Sequence, residues 1–591
     1  MSNEQKKPTL KEEFKAVNKK SNIIRLASMM RPYLGKLLLC ALFVLIVNAA
    51  ELLKPMIAEI VIDDFLALGI VEKENMSVAI LGMIYFAVIA VGSAFGIAQA
   101  RLITRISQKI LDSMRNKVFD KILHLSTSKL DKFGTGRLIT RATNDVETVN
   151  EFYSDVFLSL FRDVFLLIGI LVMMLIIDWK LALVAFTGIP FIVALTFSIK
   201  KRIKENFKKV KITTGKINGF FSENILGMRI VQVFNGLKSK LKEFRQLNDE
   251  YFKGTMTQVM LHSFLRPTME MINEMVIALL VAYAYNGISG GALQVGVLYA
   301  FTNYTKQFFA PINDLAEKYS TVQSAFVSTD RIYELLDDNE TEDTYEGRND
   351  VDIQGEIEFK DVWFSYDDEN WVLKGVSFVI PKGARAAFVG TTGAGKTTII
   401  NLITRNYTPQ KGEILIDGIN VKEISLHTLR SKVSAVLQDV FLFTGNVREN
   451  LEMGTEKSDE QLEKAMLAAQ TKDFLSEANG LETAVTEQGL NFSTGERQLL
   501  SFARAIASEP SVLILDEATA HIDTGTEVKV QKAINEMAKG RTMIYIAHRL
   551  STIRESNVIF VIKDGQIAER GNHEELVALG GEYASLLKHN A

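Results

Sequence analysis

At 591 residues the chain is too long for a single core, so two or more domains are expected. A formal net charge of −3 supplies no basic field for a nucleic-acid partner. Cys40 is the only cysteine, which excludes an intramolecular disulfide and a thiolate metal site.

In chain order, Met1–Lys36 is polar and lysine-rich, without the pattern of a cleavable signal. Six stretches then approach the roughly 20 apolar residues that a bilayer requires. They are Leu37–Leu53, Ser77–Gln99, Val156–Ile177, Leu181–Ile199, Met269–Tyr285 and Leu293–Pro311. Six spans put both termini on one side. The basic residues from Lys6 to Lys36 place that side, and with it the C-terminal half, in the cytoplasm of a cell membrane. The outer loops are short: Leu66–Met76, Asp178–Lys180 and Asn286–Gly291. The inner stretches Arg101–Asp155 and Lys200–Leu265 are long, charged and helical in pattern, broken only by glycines such as Gly134, Gly136, Gly215 and Gly219. The economical reading is that the spanning helices continue past the membrane and turn there; a soluble insert is the alternative, without strand signals to support it.

The polar stretch Asp337–Asp350 reads as a linker, giving a membrane domain over 1–340, a linker over 341–353 and a second domain over 354–591. In the second domain, short apolar strands are predicted at Ile357–Phe364, Val376–Ile380, Ala386–Val389, Val433–Leu437, Val512–Leu515, Met543–Ile546 and Val558–Ile562. Their alternation with helical patterns predicts a mainly parallel α/β sheet.

Gly390-Thr391-Thr392-Gly393-Ala394-Gly395-Lys396-Thr397 follows one such strand and precedes a helix from Thr398, the setting a P-loop requires. Its glycines let backbone N–H groups wrap phosphates, aided by the helix N-terminus. Lys396 would reach the β- and γ-phosphates of a nucleotide, and Thr397 would ligate Mg²⁺. Val512–Leu515 runs into Asp516 and Glu517. Downstream of a P-loop these read as a holder of the Mg²⁺ shell and a carboxylate that polarises the attacking water. Gln438 could sense Mg²⁺ and that water, His548 could bond the γ-phosphate, and Tyr366 offers a face for adenine.

Taken in order, Tyr366, the P-loop, Gln438, Phe492-Ser493-Thr494-Gly495-Glu496, Asp516-Glu517, Asp523 and His548 resemble the nucleotide-binding domain of the ABC superfamily. With six preceding spans, Thr135–Leu138 and Thr143–Val146 resemble the first intracellular loop of bacterial multidrug exporters. The resemblance implies a fold: a helical transmembrane domain with long extensions, then an α/β ATPase fuelled by Mg-ATP. It also implies that the turns near Lys132–Arg137 and Thr213–Phe221 carry motion between domains. Ser493 and Gly495 would grip ATP held by the opposite subunit, and Asp523 joins the nucleotide-contacting set.

One departure stands out. The family's signature reads roughly Leu-Ser-Gly-Gly-Gln; here Thr494 adds a Cβ and Glu496 a carboxylate near phosphate oxygens. The resemblance then points to heterodimeric exporters in which the subunit with an intact glutamate carries the altered signature; a homodimer tolerating the change is the alternative. The expected cargo is hydrophobic or amphipathic and drug-like, exported by alternating access among membrane lipids. Lipid or peptide export on the same scaffold, or an ATP-gated channel, are the rivals. Glu270, Asn273 and Glu274, on one face of the fifth span, are read as a cation-binding cavity or as structural ion pairs. Thr302–Thr305 suggest a wet central surface.

Overall fold

The computed structural model describes residues 19–66, 69, 72–73, 76–289, 293–342, 346–367, 369–476, 479–516, 524–546 and 553–590. Two compact units emerge: residues 1–120 with 136–337, and residues 121–135 with 338–591.

Among the described residues the regular structure of the first unit is helix apart from a two-stranded ribbon at Glu72–Lys73 and Met76–Ser77. Each predicted span lies on helix: Leu34–Val61, Val78–Leu123, Leu158–Ile177, the pair Trp179–Phe186 and Gly188–Leu226, Leu237–Ser289, and Val295–Leu336. Among the described residues four helical stretches are long and apolar enough to cross a membrane. Of the other two predicted spans, the fourth is strongly apolar but its helix is interrupted at Thr187, and the last carries Thr302, Asn303 and Thr305. At the 178–180 hairpin, Asp178 caps the next helix by accepting from the N–H groups of Lys180 and Leu181 at 2.7 and 2.9 Å.

Helical extensions replace any soluble insert. Leu237–Ser289 alone runs 53 residues, about 80 Å at 1.5 Å per residue. The second turn differs from its expected place. Residues 213–221 are uninterrupted helix, and the chain reverses instead around Gly227 and Asn235-Gly236, flanking the short helix Met228–Val233. Gly215 and Gly219 sit in a helix whose surroundings leave open space at both positions. Glycine there weakens a helix without ending it.

Within the membrane unit, Tyr304 and Thr305 are buried rather than on a wet surface. Tyr304 donates its hydroxyl to the Leu52 carbonyl at 2.7 Å, and Thr305 to that of Phe301 at 2.7 Å. Carboxylates here are largely paired: Asp163 with Arg162 and Lys318, both at 3.3 Å, Glu51 with Lys54 at 2.7 Å, and Glu274 with Lys306 at 3.8 Å. Structural pairing is therefore the reading that the geometry favours for these groups.

The second unit holds two larger sheets. β1 (Ile357–Ser365), β2 (Trp371–Ile380), β4 (Lys411–Ile416) and β5 (Ile419–Asn420) form an antiparallel sheet in the order β2-β1-β4-β5. The second sheet runs β10-β9-β3-β8-β7-β6. It comprises β3 (Arg385–Val389), β6 (Val433–Val436), β7 (Val512–Asp516), β8 (Thr542–Ile546), β9 (Val558–Lys563) and β10 (Gln566–Gly571). All pairings in it are parallel except β9 with β10. Alternate residues feed separate cores: Ala387, Leu513, Leu515, Met543 and Val561 on one face, Phe388, Ile514, Ile544 and Phe560 on the other. Burial on both faces is why these strands read as unbroken apolar runs in the sequence.

Candidate nucleotide site

In a parallel sheet, successive strands deliver their C-terminal ends to one edge. β3 ends there in the P-loop, β7 in Asp516, and β6 leads into Gln438 two residues beyond its end. Register fixes the neighbours: Leu515 lies against Val436 on one side and Asp516 against Ile546 on the other. The edge gathers the P-loop, Asp516 and Gln438 from positions up to 126 residues apart in sequence (516 − 390). Glu517, Asp523 and His548 lie outside the described residues, in the sequence segments that follow β7 and β8.

The P-loop's shape follows from its glycines. Gly390, Gly393 and Gly395 adopt φ of 153°, 83° and 107°, which side chains disfavour. A Cβ at Gly390 would lie 2.3 Å from the Ile562 carbonyl, and one at Gly395 would lie 2.7 Å from Leu373 Cδ2. The loop curls into the helix Lys396–Ile403, whose N-terminus has no side-chain cap, so its first N–H groups remain available to an anion. Lys396 is buried at 7% exposure. Its ammonium donates to the carbonyls of Gly390 and Thr391 at 2.8 and 3.0 Å, which holds the charge over the loop. Thr391 and Thr397 are exposed, while Ala394 and Thr398 are buried. Uncapped donors, an overhanging cation and an exposed hydroxyl at Thr397 together fit a nucleotide triphosphate with its metal.

Tyr366, half exposed at 50%, has its hydroxyl 3.1 Å from Thr398 Oγ1, which leaves its ring accessible to a base. Asp367 secures the adjoining loop, accepting from the backbone N–H of Asn370 at 2.8 Å and of Glu369 at 3.1 Å. These bonds hold its carboxyl well below the usual carboxylate range.

The signature segment has an internal logic signalled by the spacing of Ser493 and Glu496. Ser493 caps the helix Thr494–Ala507 by accepting from the Glu496 N–H at 3.3 Å. Glu496 returns the bond, accepting from the Ser493 N–H at 2.8 Å. The carboxylate that the resemblance puts near phosphate oxygens thus completes a capping box, an arrangement that stabilises a helix start by about 1 kcal/mol. Gly495 is buried and Thr494 exposed.

Two residues carried no signal in isolation. Tyr407 packs against Tyr366 with ring centroids 5.0 Å apart, and its hydroxyl donates to Asp131. Asp131 belongs to the turn helix Thr127–Phe133, which clusters with the second unit. That helix ends at Gly134, whose φ of 74° requires glycine, within the turn expected near Lys132–Arg137. Lys129 holds the same helix to the linker by ion pairs to Asp338 at 3.0 Å and Glu340 at 3.3 Å.

A glycine-rich phosphate loop on a parallel sheet, joined to a helical membrane unit, defines a membrane-bound nucleoside triphosphatase. Family models agree: the ABC transporter transmembrane region matches residues 37–312, and the ABC transporter family matches residues 373–520. The chain is 37% identical over 563 residues to the ABC transporter ATP-binding protein exp8 of Streptococcus pneumoniae, covering 95% of each. It is 35% identical over 517 residues to YheH of Bacillus subtilis, named for multidrug resistance, covering 87% of this chain and 77% of that one. A bacterial Atm1-family ABC exporter with ATP bound superposes with a TM-score of 0.78 at 26% identity, covering 95% of this chain and 98% of that one. The chain belongs to the ABC transporters. It is an exporter built as a helical transmembrane region followed by a nucleotide-binding domain, and that domain is an ATPase coupled to transport.

Proposed function

We propose that the chain is one half of a heterodimeric exporter that moves hydrophobic or amphipathic compounds out through the cytoplasmic membrane by alternating access. Both termini and the ATPase would face the cytoplasm. The observation that carries the ATP site is the sheet edge shared by the P-loop, Asp516 and Gln438. On this reading Tyr366 stacks on adenine. The N–H groups of Gly390, Thr391, Gly393, Ala394 and Gly395, with Thr398 behind them, cradle the phosphates, and Lys396 draws charge from the β- and γ-oxygens. Thr397, Gln438 and Asp516 would hold Mg²⁺, Asp516 through water; when bound, the metal neutralises phosphate charge. Glu517 orients and deprotonates the attacking water, and His548 steadies the γ-phosphate. Ser493, Gly495 and Asp523 serve the nucleotide interface between subunits.

Support for a partner comes from the second turn. Leu226, Ile230, Val233 and Phe234 are all at least 65% exposed around the helix Met228–Val233. An apolar cluster of this kind on a charged extension marks a surface to be covered. The ATPase unit presents a groove of about 770 Å³ in which Leu437, Phe441 and Met453 stand beside charged Arg430, Glu452 and Arg504, a mixed surface that could take the same helix of a partner subunit. Support for unequal partners is the altered signature at Thr494 and Glu496. The YheH likeness supports a multidrug-like cargo.

The test uses inverted membrane vesicles containing the transporter and a fluorescent amphipathic dye. Glu517→Gln should leave ATP binding in place and lower turnover by a factor on the order of 100 or more, since it removes a general base. Dye accumulation should fall with it. Turnover that survives the substitution would overturn the reading.

A further inference from the structure

Tyr366 is tied into the P-loop helix by two bonds. Its hydroxyl lies 3.1 Å from Thr398 Oγ1 and accepts from Asn401 Nδ2 at 3.4 Å. Past the end of that helix, the Asn401 carbonyl accepts the N–H groups of Asn406 and Tyr407 at 2.9 and 3.2 Å. Arg405 takes a left-handed φ of 51° to turn the chain, and its guanidinium donates to the carbonyls of Val421 and Ile424. Tyr407 is thereby set edge-on to Tyr366, and both rings lean on Phe364 at 5.6 and 4.8 Å. Its hydroxyl meets the Asp131 carboxylate on the turn helix. Burial, reinforced by that carboxylate, pushes the phenol above its ordinary range, so it stays a donor at physiological pH.

We propose that Tyr407 is a positioning residue that reports occupancy of the base site to the turn helix Thr127–Phe133, through its ring on Tyr366 and its hydroxyl on Asp131. The proposal rests on Tyr366 being the adenine platform. A base seated on Tyr366 restricts that ring, and the edge-to-face contact passes the restriction to Tyr407. The angle of the Tyr407 ring sets the aim of its hydroxyl, so Asp131 is held firmly only when the base is in place. A phosphate chain without a base would fill the P-loop and leave the turn helix loose.

The experiment measures hydrogen exchange at 127–133 in the full transporter, with no nucleotide, with Mg-ATP and with magnesium tripolyphosphate. ATP should slow exchange there and tripolyphosphate should not. Tyr407→Phe keeps the ring and the fold but removes the donor. It should cut the ATP effect about fivefold, the lower end of typical coupling between sites, with the KM for ATP within about twofold of wild type. Asp131→Ala should match it, the two together should be no worse than either alone, and Asp131→Asn, which keeps an accepting oxygen, should retain most of the effect. Equal protection by tripolyphosphate, or an undiminished ATP effect in Tyr407→Phe, would overturn the proposal. Tyr366→Ala tests the platform separately: an unchanged KM for ATP would refute the base-stacking role without bearing on the Tyr407–Asp131 bond.

Discussion

Two short helices close the long extensions of this chain, and they are opposite in character. Thr127–Phe133 is held by its own chain through polar contacts, with Asp131 on Tyr407 and Lys129 on Asp338 and Glu340. Met228–Val233 presents Ile230, Val233 and nearby Phe234 to solvent. A turn finished by ion pairs and a hydroxyl has its polar partners within the chain, whereas one finished by exposed apolar side chains leaves an apolar face uncovered. Under the proposed function the contrast has a simple meaning: one turn is held by its own chain, and the other is left for a second subunit to cover.

The largest effect should come from the exposed turn. Ile230→Asp with Phe234→Asp would place two carboxylates on the face reserved for a partner, where an unpaired buried charge costs several kcal/mol. Export should drop on the order of 100-fold. Because both side chains are exposed in the chain itself, its melting temperature should shift by no more than about 2 °C. Unchanged export would show that nothing covers this face.

A smaller effect belongs to the docked turn. Lys129→Ala removes two partly exposed ion pairs, a contribution of about 1 kcal/mol. Amide exchange across 127–133 should quicken about fivefold, with 228–233 unaffected. Equal change in both turns would erase the contrast.

The smallest is a flat response to pH. The Glu340 N–H, then Lys129, holds the Asp338 carboxyl below its ordinary range, while the bond to Asp338 raises the Lys129 ammonium. A lowered carboxylate contributes stability above its unfolded value near 3.9, lost as pH falls through the lowered value. A raised ammonium contributes below its unfolded value near 10.4, lost as pH rises through the raised one. Docking of 127–133, corrected for intrinsic exchange, should therefore be constant from about pH 5 to 9.5. A transition near neutrality would mean that another group holds the helix.

Much of the ATPase was legible because buried parallel strands cannot hide their apolar runs. Val512–Leu515 and Met543–Ile546 were found within one residue of β7 and β8. β4 escaped because it opens on Lys411-Gly412-Glu413, where Gly412 is forced by a backbone approach: a Cβ would lie 2.2 Å from the Asp361 carbonyl. The second turn was misplaced because glycines in an exposed helix look like breakers, while the true reversal uses Asn235 at a φ of 51°. Glu496 read only as a carboxylate near phosphate when compared with one family position, although Ser493 three residues before it has the spacing of a capping box. Tyr407 was illegible altogether, its partner Asp131 lying 276 positions away.

The most direct test of the central claim, a sound catalytic half joined to a compromised signature, needs only this chain. ATP turnover is measured in proteoliposomes for the purified wild type and for Thr494→Gly with Glu496→Gln. Glutamine can still complete the capping box, so the helix should stand. Wild type alone should hydrolyse ATP poorly, because two copies build two compromised sites, and the restored pair should gain about tenfold or more. Vigorous turnover by the wild type, unchanged on restoring the signature, would contradict the account.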